Sequence, residues 1–435
     1  MAAFGVKFGV KQPMPETGTV QLGRGRRRQA SRPSEWNSPV VRGALALTLN
    51  SIVSAALGLL FWVLAARMLP VEQVGLGMAT VSTITAVANL GQLNLYQTSG
   101  VLLSGSMRSR RLVVELTGLA TGATLLVATG AAVLWALTDW GRDLVTTGPL
   151  FVACAVGWTL FALKDGLLVG LRGFAAVPVL NTCYGLLKIG ALVALVAVLD
   201  GRAIVAATYV PVLAVLPLAA WLTARRTRDA APSPGSGSGL DRRFIGVDYV
   251  GFVCLQLSTT LLPFLMLTWA GAHAAGIFAV VWLLVVMLDT LAHNAGVPLA
   301  SEAARDPHRA HHLSGVISRR AFVLVAGSVL AVLLLADVVL GFYGEVYAAE
   351  GAVALRILAL ASLARCYTVL TLAVVRAERR AGAASIVEAV HLLVLFAGAA
   401  VLVPEHGVTG MAWAWFAAQL VTVSACWFVR SGRRR

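Results

Sequence analysis

Apolar residues gather in long blocks separated by short polar breaks. The blocks occupy roughly 40–66, 74–103, 112–138, 149–171, 176–199 and 203–224, then 247–269, 273–299, 319–341, 351–376, 383–403 and 408–430. Each is long enough, at about 1.5 Å per helical residue, to cross a hydrocarbon core about 30 Å thick. The pattern predicts an all-α polytopic membrane protein with about twelve transmembrane helices in two pseudo-symmetric six-helix lobes. The polar segments set the expected boundaries. Residues 1–38 form a disordered basic tail, 39–226 an N-terminal lobe, 227–243 a flexible linker (TRDAAPSPGSGSGLDRR), 244–430 a C-terminal lobe and 431–435 a basic end. No apolar stretch follows the first charges of the tail, so it does not read as a signal peptide. Prolines within the runs, Pro178, Pro211, Pro217 and Pro263, are expected to kink them, and neighbouring helices re-satisfy the freed carbonyls.

The first pair of runs is a hairpin, Asn50 to Gln92, with the turn RMLPVEQVG between them and Pro70 stopping the first helix. A shift of 201 positions carries Gly75-Leu76-Gly77-Met78-Ala79 onto Gly276-Ile277-Phe278-Ala279-Val280, Gln92 onto His293 and Lys164 onto Arg365. One shift that aligns a turn glycine, a mid-helix polar residue and a buried cation points to an internal duplication.

Composition agrees with the pattern. The chain of 435 residues is 58% hydrophobic and 13% charged, against about 25% charged in soluble domains. The net charge of +15 does not imply nucleic acid, because the cations sit in short patches between apolar runs. If the N-terminal tail is cytoplasmic, every second loop on that side is arginine-rich, from Arg108, Arg110 and Arg111 through Arg225, Arg226 and Arg228 to Arg376, Arg379 and Arg380. The other side holds only Arg67, Arg142 and Arg202. That bias predicts both termini inside a cytoplasmic membrane. Lysine occurs only at Lys7, Lys11, Lys164 and Lys188, and the abundance of arginine, alanine and glycine points to a GC-rich bacterial source. The five cysteines are scattered without CxxC spacing and read as small apolar filler.

Four cations fall inside apolar runs: Lys164, Lys188, Arg356 and Arg365. Each costs roughly 2.5–3.5 kcal/mol at a helix centre. Arg356 lies near a run's end and can snorkel. Asp289 and Glu388 lie at comparable depth, and Asp289 shares a helix face with His293. Two readings follow. In one, Arg365, Lys164 and Lys188 line a polar cavity between the lobes and hold an anionic substrate, with Asp289, His293 and Glu388 available for ion coupling. In the other, the charges pair internally, as Lys164 with Asp289 or Arg365 with Glu388, and bind nothing. Asn89, Gln92, Tyr96 and Gln97 fall within one arc of the second run and suit sugar hydroxyls or interhelical hydrogen bonds.

No GxxxxGK[ST] loop and no HExxH occurs. His308, His311 and His312 have metal-like spacing but no surrounding carboxylates or thiolates, and read as a solvated loop. No catalytic residue, cofactor or metal is expected.

The stretch Asn50 to Leu76, above all its A-R-x-L-P-x-E-x-V-G turn, resembles the opening of bacterial polysaccharide-exporting flippases. These belong to the superfamily that also holds multidrug extruders, lipid-linked oligosaccharide flippases and the peptidoglycan-precursor flippase. The resemblance implies two six-helix lobes about an axis along the membrane normal and alternating access. It implies an anionic lipid-linked glycan as substrate, membrane lipids and polysaccharide-biosynthesis enzymes as partners, and the diphosphate held by Arg365 and Lys164. Two extra C-terminal crossings usual in the peptidoglycan-precursor branch are absent. The other functions that fit are a cation-coupled drug extruder, a non-catalytic component of an export assembly and a membrane glycosyltransferase. Short outer loops and the lack of a paired-carboxylate motif argue against the last.

Overall fold

A computed structural model describes residues 39–96, 99, 103, 110–138, 144, 147–228, 242–305, 307–378 and 380–431. Side chains are described for these except at 39–48, 242–248, 291, 293–317, 377 and 381. The expected N-terminal tail, most of the linker and the C-terminal arginines lie outside the described residues. The compact unit Gly43–Arg435 holds both lobes apart from the first residues of the opening helix.

All regular structure among the described residues is helical. The helices are α1 (Pro39–Met68), α2 (Val71–Gly91), α3 (Arg110–Leu137), α4 (Gly148–Gly170), α5 (Ala176–Leu199), α6 (Arg202–Arg228), α7 (Arg242–Thr260), α8 (Leu262–Arg305), α9 (Pro307–Gly341), α10 (Glu345–Ala377) and α11 (Ala381–Ser431). Among the described residues, ten helical stretches are long and apolar enough to cross a bilayer. Two of them are double. The stretch Tyr249–Thr290 has 42 residues and Gly382–Ser431 has 50, about 63 and 75 Å of helix, twice a hydrocarbon core. Each turns back at one glycine with positive φ, Gly271 (82°) and Gly407 (52°). Only glycine adopts that conformation without strain. The ten stretches therefore make twelve crossings, broken where the polar breaks of the sequence fall. Pro211 and Pro217 lie inside α6, and Pro263 follows the bend at Leu261 that separates α7 from α8.

Two expected boundaries move. The second run does not continue to residue 103 as one helix. It ends at Gly91, and Leu93 and Asn94 follow with φ of 55° and 56°. Gly91 packs so closely on α3 that a Cβ there would lie 2.6 Å from the Thr124 hydroxyl. The histidines His308, His311 and His312, expected in a loop, belong to the first turns of α9, which Pro307 opens.

The helix ends define two faces. The arginine-poor end carries the turns at Leu69–Pro70, Asp200–Gly201, Gly271, Phe342–Gly344 and Gly407. The arginine-rich end carries those near Arg172 and Arg380. The apolar core differs between them. Toward the arginine-poor end one cluster runs through both lobes, from Phe61, Leu69 and Val74 to Phe278, Tyr347 and Trp415. Toward the other end the clusters stay within a lobe: Leu95, Leu116, Leu163 and Leu167 in the first, Leu288, Val325, Cys366 and Leu370 in the second.

The seam between lobes follows the 201-residue repeat. A Cβ on Gly75 would run into the Ala272 carbonyl oxygen and lie 2.6 Å from the Gly276 nitrogen. A Cβ on Gly276 would run into the Val71 carbonyl oxygen and lie 2.7 Å from Val71 Cγ1. Ala272 is Val71 shifted by 201, and Gly276 is Gly75 shifted by 201. Reciprocal contact of this kind is what a two-fold axis generates. Arg67 extends the seam, donating from Nε to the Phe342 carbonyl at 2.8 Å and from Nη2 to Gly341 at 2.9 Å. Lower down, the Tyr249 hydroxyl of α7 donates to the Leu90 carbonyl of α2.

Candidate functional site

Each lobe carries its own buried polar centre. In the first, Lys164 of α4 is 3% exposed. Its ammonium donates to Asp165 Oδ1 at 2.8 Å and to Asn181 Oδ1 at 2.7 Å, and it lies 3.7 Å from the Phe161 ring centroid. Asn181 completes the set, donating from Nδ2 to Asp165 Oδ2 at 3.1 Å and to Asn50 Oδ1 at 3.2 Å. A buried ammonium needs its donors filled. Here α4 and α5 supply the acceptors, and Asn50 of α1 joins through Asn181, so three helices are tied to one charge.

The second centre is larger and less satisfied. Arg365 of α10 is 2% exposed, and its Nε stands 3.9 Å from Asp289 Oδ2 of α8. That separation holds an ion pair but exceeds a hydrogen bond. Arg365 Nε and Nη1 have no hydrogen-bond partner. His391 of α11's first limb lies in the electrostatic field of Arg365, Glu388 stands one turn before it, and Gln419 and Thr422 belong to the second limb, all four buried. Glu388 Oε1 pairs with Arg376 at 3.6 Å while Oε2 has no partner. His391 Nδ1 meets Thr422 Oγ1 at 3.0 Å, and both side-chain polar atoms of Gln419 are unpartnered. Buried polar atoms are almost always satisfied by protein or water, so this much unfilled capacity in one place can take water or a polar ligand.

The sequence-predicted residues therefore separate. Lys164 and Arg365, related by the repeat, hold corresponding places in different lobes, each beside an aspartate of its own lobe. The expected internal partners differ: Lys164 takes Asp165 rather than Asp289, and Arg365 takes Asp289 rather than Glu388. Lys188 joins neither centre. Its ammonium lies 3.9 Å from the Phe61 ring centroid, a cation–π contact with α1. The polar stripe on the second run is dispersed by the break after Gly91. Asn89 is half-buried, Gln92 is 4% exposed with Nε2 unpartnered, and Tyr96 is exposed in the electrostatic field of Asp165. Gln97 lies outside the described residues, as does the side chain of His293. Among the described residues no group of three histidine, cysteine, aspartate or glutamate side chains is arranged to hold a metal ion.

No protein-family model and no curated protein matches the sequence. Solved structures do match. MurJ, a lipid II flippase in an inward closed conformation, superposes with a TM-score of 0.63 at 11% identity, over 88% of this chain and 87% of its own. A point mutant of MATE gives 0.58 at 15%, over 91% and 95%. DinF-BH, a MATE multidrug transporter, gives 0.54 at 14%, over 91% and 94%. The chain has the MATE–MurJ fold.

Within the MATE–MurJ fold the polar residues that the hydropathy pattern did not single out are Asn50, Asn181, His391, Gln419 and Thr422. A signal for some of them was present. Residues at equal distances from an interhelical turn sit at one height in an antiparallel pair. Lys164 and Asn181 flank the turn near Gly173 in this way, and His391 and Thr422 flank Gly407.

Proposed function

We propose that the chain is a flippase that moves a lipid-diphosphate-linked oligosaccharide or polysaccharide precursor across a bacterial cytoplasmic membrane by alternating access. The arginine-rich face is placed in the cytoplasm on the positive-inside rule. The observation that carries the reading is Arg365, a guanidinium buried at 2% exposure whose Nε and Nη1 are unfilled. It lies at a level where the apolar clusters no longer span both lobes. A phosphate oxygen is a stronger partner for such a donor than a carboxylate 3.9 Å away. Gln419 and Gln92 offer unfilled amide donors, a chemistry suited to sugar hydroxyls. In this reading Lys164 and Lys188 supply positive charge from the first lobe, and Tyr96 and Asn89 lie on the substrate's path. Outward movement of each negative charge gains about 2.3 kcal/mol per 100 mV of inside-negative potential. Partners of this function are membrane lipids and the enzymes that build the glycan.

The test is a leaflet-accessibility assay with a fluorescent lipid-diphosphate sugar in proteoliposomes. Arg365→Ala is expected to lower the flipping rate at least about tenfold, the loss of one charge-assisted hydrogen bond or more. Wild-type rates retained in this variant would overturn the assignment.

A second reading is a cation-coupled multidrug extruder. The carboxylates of Asp289, largely buried, and Glu388, buried, favour it, since an organic cation seeks buried acid. Efflux of a cationic dye that survives Arg365→Ala and fails with Glu388→Gln, without glycolipid movement, would select it.

A further inference from the structure

Three polar side chains at the arginine-poor end have no part in the substrate reading. Glu72 stands in the first turn of α2, His273 just past the Gly271 turn of α8, and Glu350 near the start of α10. His273 Nδ1 lies 2.9 Å from Glu72 Oε1, and Nε2 lies 3.0 Å from Glu350 Oε2. An ionised carboxylate only accepts, and a neutral imidazole carries a single N–H. Both contacts are hydrogen bonds to carboxylates at once only when the ring is imidazolium. Remove that proton, and one nitrogen turns a lone pair toward a carboxylate oxygen at hydrogen-bond distance.

The two contacts differ in what they join. His273 and Glu350 belong to the same lobe, whereas Glu72 belongs to the other. Glu72 and His273 are also the pair related by the 201-residue shift, beside the close approach of Gly75 and Gly276. The triad thus sits on the seam that closes this end. Other charged and titratable groups stand at this end, and Asp200 and Arg202 flank the Gly201 turn that packs on Gln73. Arg67 of α1 is held by the Phe342 and Gly341 carbonyls. Asp337 of α9 pairs with Arg356 of α10. Tyr343 and Tyr347 are buried with unpartnered hydroxyls, Tyr347 in the field of Glu72. Glu345 opens α10, and Glu405 and His406 precede the Gly407 turn of α11. Among the described residues, the groups within hydrogen-bond reach of the His273 ring are the two glutamates.

We propose that Glu72, His273 and Glu350 form a proton-operated latch that holds the lobes together at the arginine-poor end. The proposal rests on the transport reading for its purpose, since closure of one end matters to lobes that alternate, but not for its readout. The closed form holds the His273 proton between two anions. The open form loses Glu72 and leaves the ring more exposed to water, where a free imidazole titrates near about 6.5. The closed form therefore binds that proton more tightly. Mass action then favours closure below about pH 6 and release as the pH rises through and above the imidazole range. All three side chains are about half exposed, so each contact has the strength of a solvent-screened pair, and the closed-to-open ratio is expected to change about 1.5- to fivefold.

The experiment places two probes near the arginine-poor end, at Val198 of α5 and Val401 of α11, both well exposed. Genetically encoded reactive amino acids carry the probes, so the five cysteines stay in place. Distances are read on the full chain in lipid nanodiscs between about pH 5.5 and about pH 8, either side of the free imidazole value. The short-distance population should fall about 1.5- to fivefold relative to the long one as the pH rises. His273→Gln, which cannot titrate, should show no such change, and Glu72→Gln should flatten the same curve from the opposite lobe. A wild-type distribution indifferent to pH would overturn the latch, as would a pH response that persists in His273→Gln or in Glu72→Gln. Glycolipid flipping with pH-indifferent distances would sink the latch alone, whereas a pH-driven distance change without flipping would support the latch and count against the transport reading.

Discussion

Replacing Gly75 with alanine tests the seam at one of its two tightest points. The added methyl would run into the Ala272 carbonyl oxygen and crowd the Gly276 nitrogen at 2.6 Å. Both are backbone atoms of a helix and cannot rotate away as a flexible side chain would, so relief comes from moving the lobes apart. Overpacking of this kind costs about 1–3 kcal/mol. The gain from glycine to alanine within a helix, roughly 1 kcal/mol, is present whether the lobes touch or not and cancels from the comparison. The closed-to-open ratio at the arginine-poor end should fall about 5- to 150-fold, read from the distance between probes at Val198 and Val401. The first methyl already separates the helices, so adding Gly276→Ala should cost less in the double variant than alone. Gly58→Ala, with no atom within 4 Å of its Cβ, should leave the distance unchanged. A Gly75→Ala protein with the wild-type distance distribution would refute the claim that this contact sets closure.

The buried charges give two further expectations for thermal unfolding of the purified protein. Lys164→Met strips Asp165 and Asn181 of their cation and should destabilise the first lobe by about 2–5 kcal/mol. The lower part of that range is favoured because Asp165 is 21% exposed and can reach water. Adding Asp165→Asn should recover much of the loss, and a double variant no better than the single would argue against the pair. Arg356→Ala should change stability by less than about 1 kcal/mol, because Arg356 and Asp337 are 36% and 60% exposed and water screens them. A larger loss would mean that its Nε bond to the Leu333 carbonyl carries the helix contact.

The crossings were legible because a bilayer-length apolar run and its polar break leave a plain mark on the sequence, even at Gly271 and Gly407, where a single non-helical residue separates two helices. The end of α2 was not legible. Leu93 and Asn94 take a left-handed turn inside an apolar run, and hydropathy does not register backbone dihedrals. Asn89, Gln92 and Tyr96 consequently lose the common helical face that their spacing implied. Burial of Lys164 and Arg365 followed from the cost of charge among apolar residues, but their partners did not. Neighbours in sequence point about 100° apart on a helix, so Asp165 was a poor guess for Lys164 until the chain is seen to curl its ammonium between Asp165 and Asn181. The polar interior around Arg365 draws Glu388 and His391 from one limb of α11 and Gln419 and Thr422 from the other. Single polar residues in long apolar runs carry little weight until the fold stacks them at one height.

The glycine contact on the seam also bears on why the two halves sit in one polypeptide. Near a two-fold axis, an assembly of identical subunits sets a side chain against its own copy, so an acid there would meet an acid. Joining the halves covalently frees each position from its twin. Glu72 and His273 occupy matching places and are unlike, and an attraction across the axis replaces a forced repulsion.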